Sequence, residues 1–125
     1  PPAVIDQPIL QHRGIYHELR PAGAESGWIV PDELRGRQTA LLGSSKDHLP
    51  PLLEKLDRVD MFYHDSDHSY DYMTWEFETV WPKLKSADGL LMSDDVLANN
   101  SFFDFCKKIG LTHLNVFNLG AARRQ

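Results

Sequence analysis

A single cysteine, Cys106, excludes an intrachain disulfide and a cysteine-rich zinc site. No stretch approaches the roughly 18 apolar residues of a membrane span, and the proline-rich start lacks the basic-then-apolar order of a signal peptide. There is no Lys/Arg stripe, and the net charge is −5. A chain of that kind is not expected to hold nucleic-acid phosphates or an anionic membrane. The expectation is a soluble, cytoplasmic protein whose partner is a small molecule or another protein. Internal repeats and low-complexity segments are absent, as is any Gly-x-Gly-like turn after an apolar strand.

What is present changes texture at Thr39. Residues 1–38 hold much of the proline and glycine, which predicts irregular structure with one plausible strand, Gly14 to Leu19. From residue 39 to 125, short apolar runs alternate with helix-period segments, the pattern of βαβ units around a parallel sheet. With 125 residues and 42% hydrophobic content, one modest core is available and a second is not expected. Thr39 to Gly43 reads as a strand, and Leu49, Leu52, Leu53 and Leu56 as one face of a helix. Asp47 is the expected cap of that helix, with Pro50 and Pro51 in or near its first turn. Val59 to His64 and Leu90 to Ser93 are further strands. Between them Met73, Phe77, Val80, Trp81 and Leu84 mark a helix that Pro82 ends or kinks. Asn100 or Ser101 caps a last helix over Phe102, Phe105, Cys106 and Ile109, stopped by Gly110. One or two closing strands follow, interrupted near Asn118 to Gly120.

Acidic residues gather just past two of these strands: Asp65 and Asp67 after the first, Asp94 and Asp95 after the second. In an open α/β sheet that edge binds ligands. Carboxylates converging there repel unless a cation is present, and hard oxygen ligands suit Mg²⁺, Ca²⁺ or Mn²⁺. The plainer alternative is that Asp67 and Asp95 cap the helices that follow. His68 lies three residues after Asp65, where a turn could aim it into the same site as a general base; a surface histidine fits the same spacing. His64 reads as a satisfied, partly buried histidine. Tyr70, in the loop after His68, is a candidate for an acceptor pocket. Gly43-Ser44-Ser45 joins a strand to a helix, so its donors could meet a ligand at the helix start.

The run VDMFYHDSDHSYDYMTWEFETVWPKLKSADGLLMSDDV, residues 59–96, resembles the fourth through fifth strands of class I S-adenosylmethionine-dependent methyltransferases. It looks most similar to O-methyltransferases of the macrocin and mycinamicin sugar type and to the cephalosporin-hydroxylase-like group. GWIVPDELRGRQTALLGSSKDHLPPLLEKL resembles the approach to their third strand and its helix, and NNSFFDFCKKIG the helix after the fifth. The resemblance implies a Rossmann-like α/β sheet with helices on both faces and strand order 3-2-1-4-5-7-6, here incomplete at its N-terminal strands. It implies S-adenosyl-L-methionine as cofactor, contacted by Ser44 and Asp65 and, at the ribose, by Glu18. It implies Mg²⁺ held by Asp65, Asp94 and Asp95, His68 as the base, and a small hydroxylated acceptor.

The missing glycine-rich strand leaves a gap at mid-sheet, with backbone groups in need of partners. The corresponding expectation is a fragment or remnant that pairs with a second copy as a homodimer, or that fills the gap with Gly14 to Leu19. Two other readings stand beside methyl transfer. One is a non-catalytic, dimerising interaction module. The other is a phosphatase of the haloacid-dehalogenase type, imitated by His64-Asp65-Ser66-Asp67 and the later Asp94-Asp95 pair.

Overall fold

The computed structural model describes residues 3–6, 23–24 and 27–125, which form two compact units, Pro1–Leu49 and Pro50–Gln125. In the first, strand β1 (Ala3–Asp6) pairs in parallel with β2 (Thr39–Leu42), Ala3 opposite Thr39 and Asp6 opposite Leu42. The sequence pattern did not mark β1; the expected strand over Gly14 to Leu19, with Glu18, lies outside the described residues. A single helical turn, α1 (Asp32–Arg35), precedes β2 and carries an Arg35–Asp32 ion pair at 2.7 Å.

Helix α2 (Ser45–Lys55) starts three residues earlier than expected. Ser44, not Asp47, precedes it: the Ser44 hydroxyl accepts the Lys46 N–H at 3.1 Å and the Ser44 carbonyl accepts from Asp47 and His48. Pro50 and Pro51 therefore lie inside the helix and withhold donors from the Lys46 and Asp47 carbonyls four residues back. Gly43 makes the tight entry possible. Its φ is 139°, and a Cβ there would stand 2.6 Å from His48 Nε2, which donates to the Leu42 carbonyl at 2.9 Å.

The second unit holds a four-stranded sheet in the order β3-β4-β6-β5: β3 (Met61–His64), β4 (Leu90–Ser93), β6 (Leu119–Arg123) and β5 (His113–Val116). β3 and β4 are parallel, and β6 runs antiparallel to both of its neighbours. That order corresponds to the 4-5-7-6 part of the expected arrangement. Helix α3 (Tyr70–Val80) passes into a 3₁₀ turn, Trp81–Lys83, where Pro82 ends the regular ladder. Helix α4 (Ser101–Ile109) stops at Gly110 in the left-handed region, φ 71°.

Met73, Phe77 and Val80 of α3, Phe102, Phe105 and Cys106 of α4, and Leu91 and Ala122 of the sheet are buried together with Val96. Phe77 joins the two helices, its ring 6.0 Å from Phe102 and 5.6 Å from Phe105. At Gly120 of β6 this packing leaves no room: a Cβ would lie 2.6 Å from Phe102 and 2.8 Å from Val96. Gly120→Ala is expected to destabilise the protein by about 1–3 kcal/mol through overpacking. Gly36→Ala, at an open position with ordinary φ, serves as the control and should be close to neutral. Urea unfolding of the two variants checks the contrast.

Candidate functional site

Pairing of β3 with β4 places His64 opposite Ser93, and the Asp94 N–H continues the ladder by donating to the His64 carbonyl at 2.8 Å. The residues that follow, Asp65 and Asp94, thus stand abreast where the two strands end. Their proximity registers in the electrostatics. Asp65 is raised from its ordinary 3.8, first by partial desolvation and next by Asp94. The Tyr63 phenol, one residue before His64, is pushed up from 10.0 by burial and then by Asp94, Asp65 and Asp95.

Asp95 begins the loop after β4 with φ 49°, a left-handed conformation that aspartate tolerates better than most residues. The hairpin between β5 and β6 holds it there. Asn118 Nδ2 donates to the Asp95 carboxylate, while the Asn118 backbone and side-chain oxygens accept from Val96 and Leu97 at 3.0 Å each. Asp95 is therefore not a helix cap. Asp67 does serve the turn before α3: its carboxylate accepts the Ser69 N–H at 2.8 Å, and the Ser69 hydroxyl first and this N–H second hold its carboxyl below the usual range.

His68 sits among these groups. Its Nε2 lies 3.9 Å from Asp65 Oδ1 and 3.6 Å from Asp95 Oδ2, within ion-pair range yet without a hydrogen bond, and the atom is buried. Its backbone is pinned from the β4 side, because Asn99 Nδ2 donates to the His68 carbonyl at 2.8 Å while Asn99 Oδ1 accepts from Ser101 at the start of α4. Tyr70, expected near a pocket, instead donates its hydroxyl to Asp104 of α4 at 3.1 Å and is 43% exposed.

Beneath His68, His64 is buried, and its Nδ1 donates to the equally buried Glu76 at 2.5 Å. Ser66 donates to the other oxygen of that carboxylate at 3.0 Å. Sequence reasoning missed Glu76, Asn99 and Asn118. Glu76 did leave a signal: it stands beside Phe77 and three residues from Met73, on the apolar face of α3.

The arrangement brings Asp65, Asp94, Asp95 and His68 together and leaves Ser44 in the other unit. Among the described residues, no three His, Cys, Asp or Glu side chains gather at the spacing that would hold a metal ion. The Asp95 carboxylate is taken by Asn118, and the imidazole of His68 stands between Asp65 and Asp95. The expected Mg²⁺ thus finds no support in this donor set as it stands, and no chemistry is routed through one below.

A raised carboxylate has a defined effect on stability. Folding favours protonated Asp65, so its contribution is fullest at low pH and is lost as pH rises through its elevated range. Asp65→Asn, uncharged at every pH, is expected to gain stability relative to wild type as the pH rises from about 3 to 7. Thermal unfolding across that range checks it, and a constant difference would mean that Asp65 ionises as freely folded as unfolded.

A family model described as a methyltransferase domain matches residues 9–96, more than half of the chain. A comparison with curated proteins returned no match.

Proposed function

Because the chain belongs to the methyltransferase-domain family, we propose that it takes part in S-adenosylmethionine-dependent methylation of a hydroxyl oxygen on a small molecule, with His68 as the base. The observation that carries the base assignment is the unpartnered Nε2 of His68 among the strand-end carboxylates. Its resemblance to sugar O-methyltransferases supports an acceptor with neighbouring hydroxyls. The family match leaves the phosphatase reading without support.

The first unit offers donors suited to the nucleoside half of the cofactor. β1 and β2 run parallel and end in register, just before the turn that carries Ser44. That is the edge of a parallel sheet where nucleotides bind, with an acidic residue taking the ribose hydroxyls. Glu18, which lies outside the described residues, is proposed for that role, and Ser44 for the adenine side. Asp65 is proposed at the cofactor edge of the second unit. When bound, S-adenosylmethionine supplies an electrophilic methyl group.

The remaining steps belong to the chain's own residues. Asp65 and Asp95 flank the covered Nε2 of His68 at 3.9 and 3.6 Å, where an acceptor hydroxyl would have to enter. Both carboxylates have exposed side chains, at 58% and 45%, and their displacement is what admits a hydroxyl to the covered Nε2. Removal of the hydroxyl proton leaves the acceptor oxygen nucleophilic. His68→Ala is expected to lower turnover about 10²- to 10⁴-fold while the affinity for S-adenosylmethionine stays within a few-fold. Transfer of a tritiated methyl group to a panel of sugars and catechols, with calorimetry of cofactor binding, measures both. Unchanged turnover would remove the base role.

A second reading rests on a different observation. β3 has one neighbour in its sheet, so its other edge is free among the described residues. A chain that pairs this edge with a second copy as a homodimer, without binding the cofactor, fits that fact. It predicts no heat on addition of S-adenosylmethionine and a dimer by sedimentation. Saturable heat would exclude it.

A further inference from the structure

We infer that Glu76 and His64 are a positioning pair that holds the imidazole of His68; the inference deepens the base assignment above and rests on it. His64 is 1% exposed and Glu76 2%, and burying both a carboxylate and an imidazole is costly where two apolar side chains would pack at no such expense. Core packing alone does not account for them. Their geometry does. Glu76 Oε2 takes the Nδ1 proton of His64 at 2.5 Å and Oε1 takes the Ser66 hydroxyl at 3.0 Å, so the carboxylate is anchored at both oxygens. An imidazole whose Nδ1–H is committed in this way is fixed in ring orientation and tautomer, with Nε2 left as an acceptor.

That fixed ring is wedged between two others. Phe77 of the core stands nearly perpendicular on it at 5.5 Å, and His68 at 5.2 Å with an interplanar angle of 78°. His64 Nε2 is buried and makes no hydrogen bond, so nothing draws the ring away from this contact. The backbone of His68 is held by Asn99 and its ring by His64, which Glu76 holds in turn. Glu76 and His64 act through His68 and are positioning residues, not catalytic ones.

Two variants test this. Glu76→Gln keeps the shape of the side chain but replaces the charged acceptor of the His64 Nδ1 proton with a neutral amide. The double variant His64→Phe, Glu76→Leu removes both polar groups and keeps the volume filled, so its fold is expected to survive with equal or greater stability. Imidazole ¹⁵N spectra of the full chain at a fixed neutral pH are expected to show His64 as the Nδ1–H tautomer in wild type, with its Nδ1 resonance displaced in Glu76→Gln, where the charge-assisted hydrogen bond is lost. The His68 resonances should shift or broaden in both variants. Methyl transfer to the same panel should fall about ten- to a hundred-fold in kcat with little change in KM.

A double variant that is stable, leaves the His68 resonances where they were and transfers methyl groups at the wild-type rate would overturn the inference and reduce the pair to packing. The two readings fail separately. If wild type methylates nothing in the panel but His68 still responds to Glu76→Gln, the proposed function falls and the positioning pair stands. If wild type is active and His68 is indifferent to both variants, the pair falls and the function stands.

Discussion

The parallel register of β3 against β4 is the constraint on which the second unit depends. His64 opposite Ser93, with the ladder continued by the Asp94 N–H, decides that Asp65 and Asp94 emerge side by side. A slip of β3 by one residue would exchange the two faces of that strand, placing Tyr63 where His64 is buried. The apolar packing of Leu91, Met73 and Phe77 therefore holds the carboxylates together against their own repulsion. Asp65 and Tyr63 are both weakened as acids, first by partial burial and next by the neighbouring carboxylates that this register brings together.

The loops that complete the site are shaped by two asparagines. Asn99 ties the backbone of His68 to the first turn of α4, and Asn118 ties the loop after β4 to the hairpin. Each uses both its amide and its carbonyl, satisfying donor and acceptor at once in places where no regular ladder can reach. The match to the methyltransferase-domain family ends at Val96, so Asn99 and Asn118 both lie beyond it. The local order of the site is consequently set by residues outside the matched segment.

Much of this fold was legible from periodicity. Leu90 to Ser93 was read to the residue, because a run bounded by Gly89 and two aspartates has few alternatives, and Gly110 marked the end of α4 by its need for positive φ. β1 was missed because Ala-Val-Ile-Asp is four residues among prolines, a length at which pattern carries little information. The cap of α2 was misplaced because Asp47 and the two prolines imitate a helix start, whereas the Ser44 hydroxyl and the crowded Gly43 turn decide the entry through contacts with His48. At the site, Asp65, Asp94, Asp95 and His68 could be read from their places after strands. Glu76 could not be assigned a partner, since nothing in one dimension shows that His64, twelve residues earlier, lies beneath it.

The outermost strand carries a consequence for handling the molecule. From Leu111 through Ala122 there is no Lys, Arg, Asp or Glu, and Leu114, Val116 and Phe117 are exposed along and beyond β5, Phe117 at 90%. Sheet proteins ordinarily guard a terminal strand with lysine, proline or a bulge, because an open ladder accepts any extended chain. Among the described residues none of these guards stands on β5, which leaves its outer edge able to pair with another extended chain. A lysine introduced at Asn115 would interrupt such pairing, though Asn115 also closes the hairpin through the Phe117 and Leu119 carbonyls, so solubility and turn geometry compete at one residue.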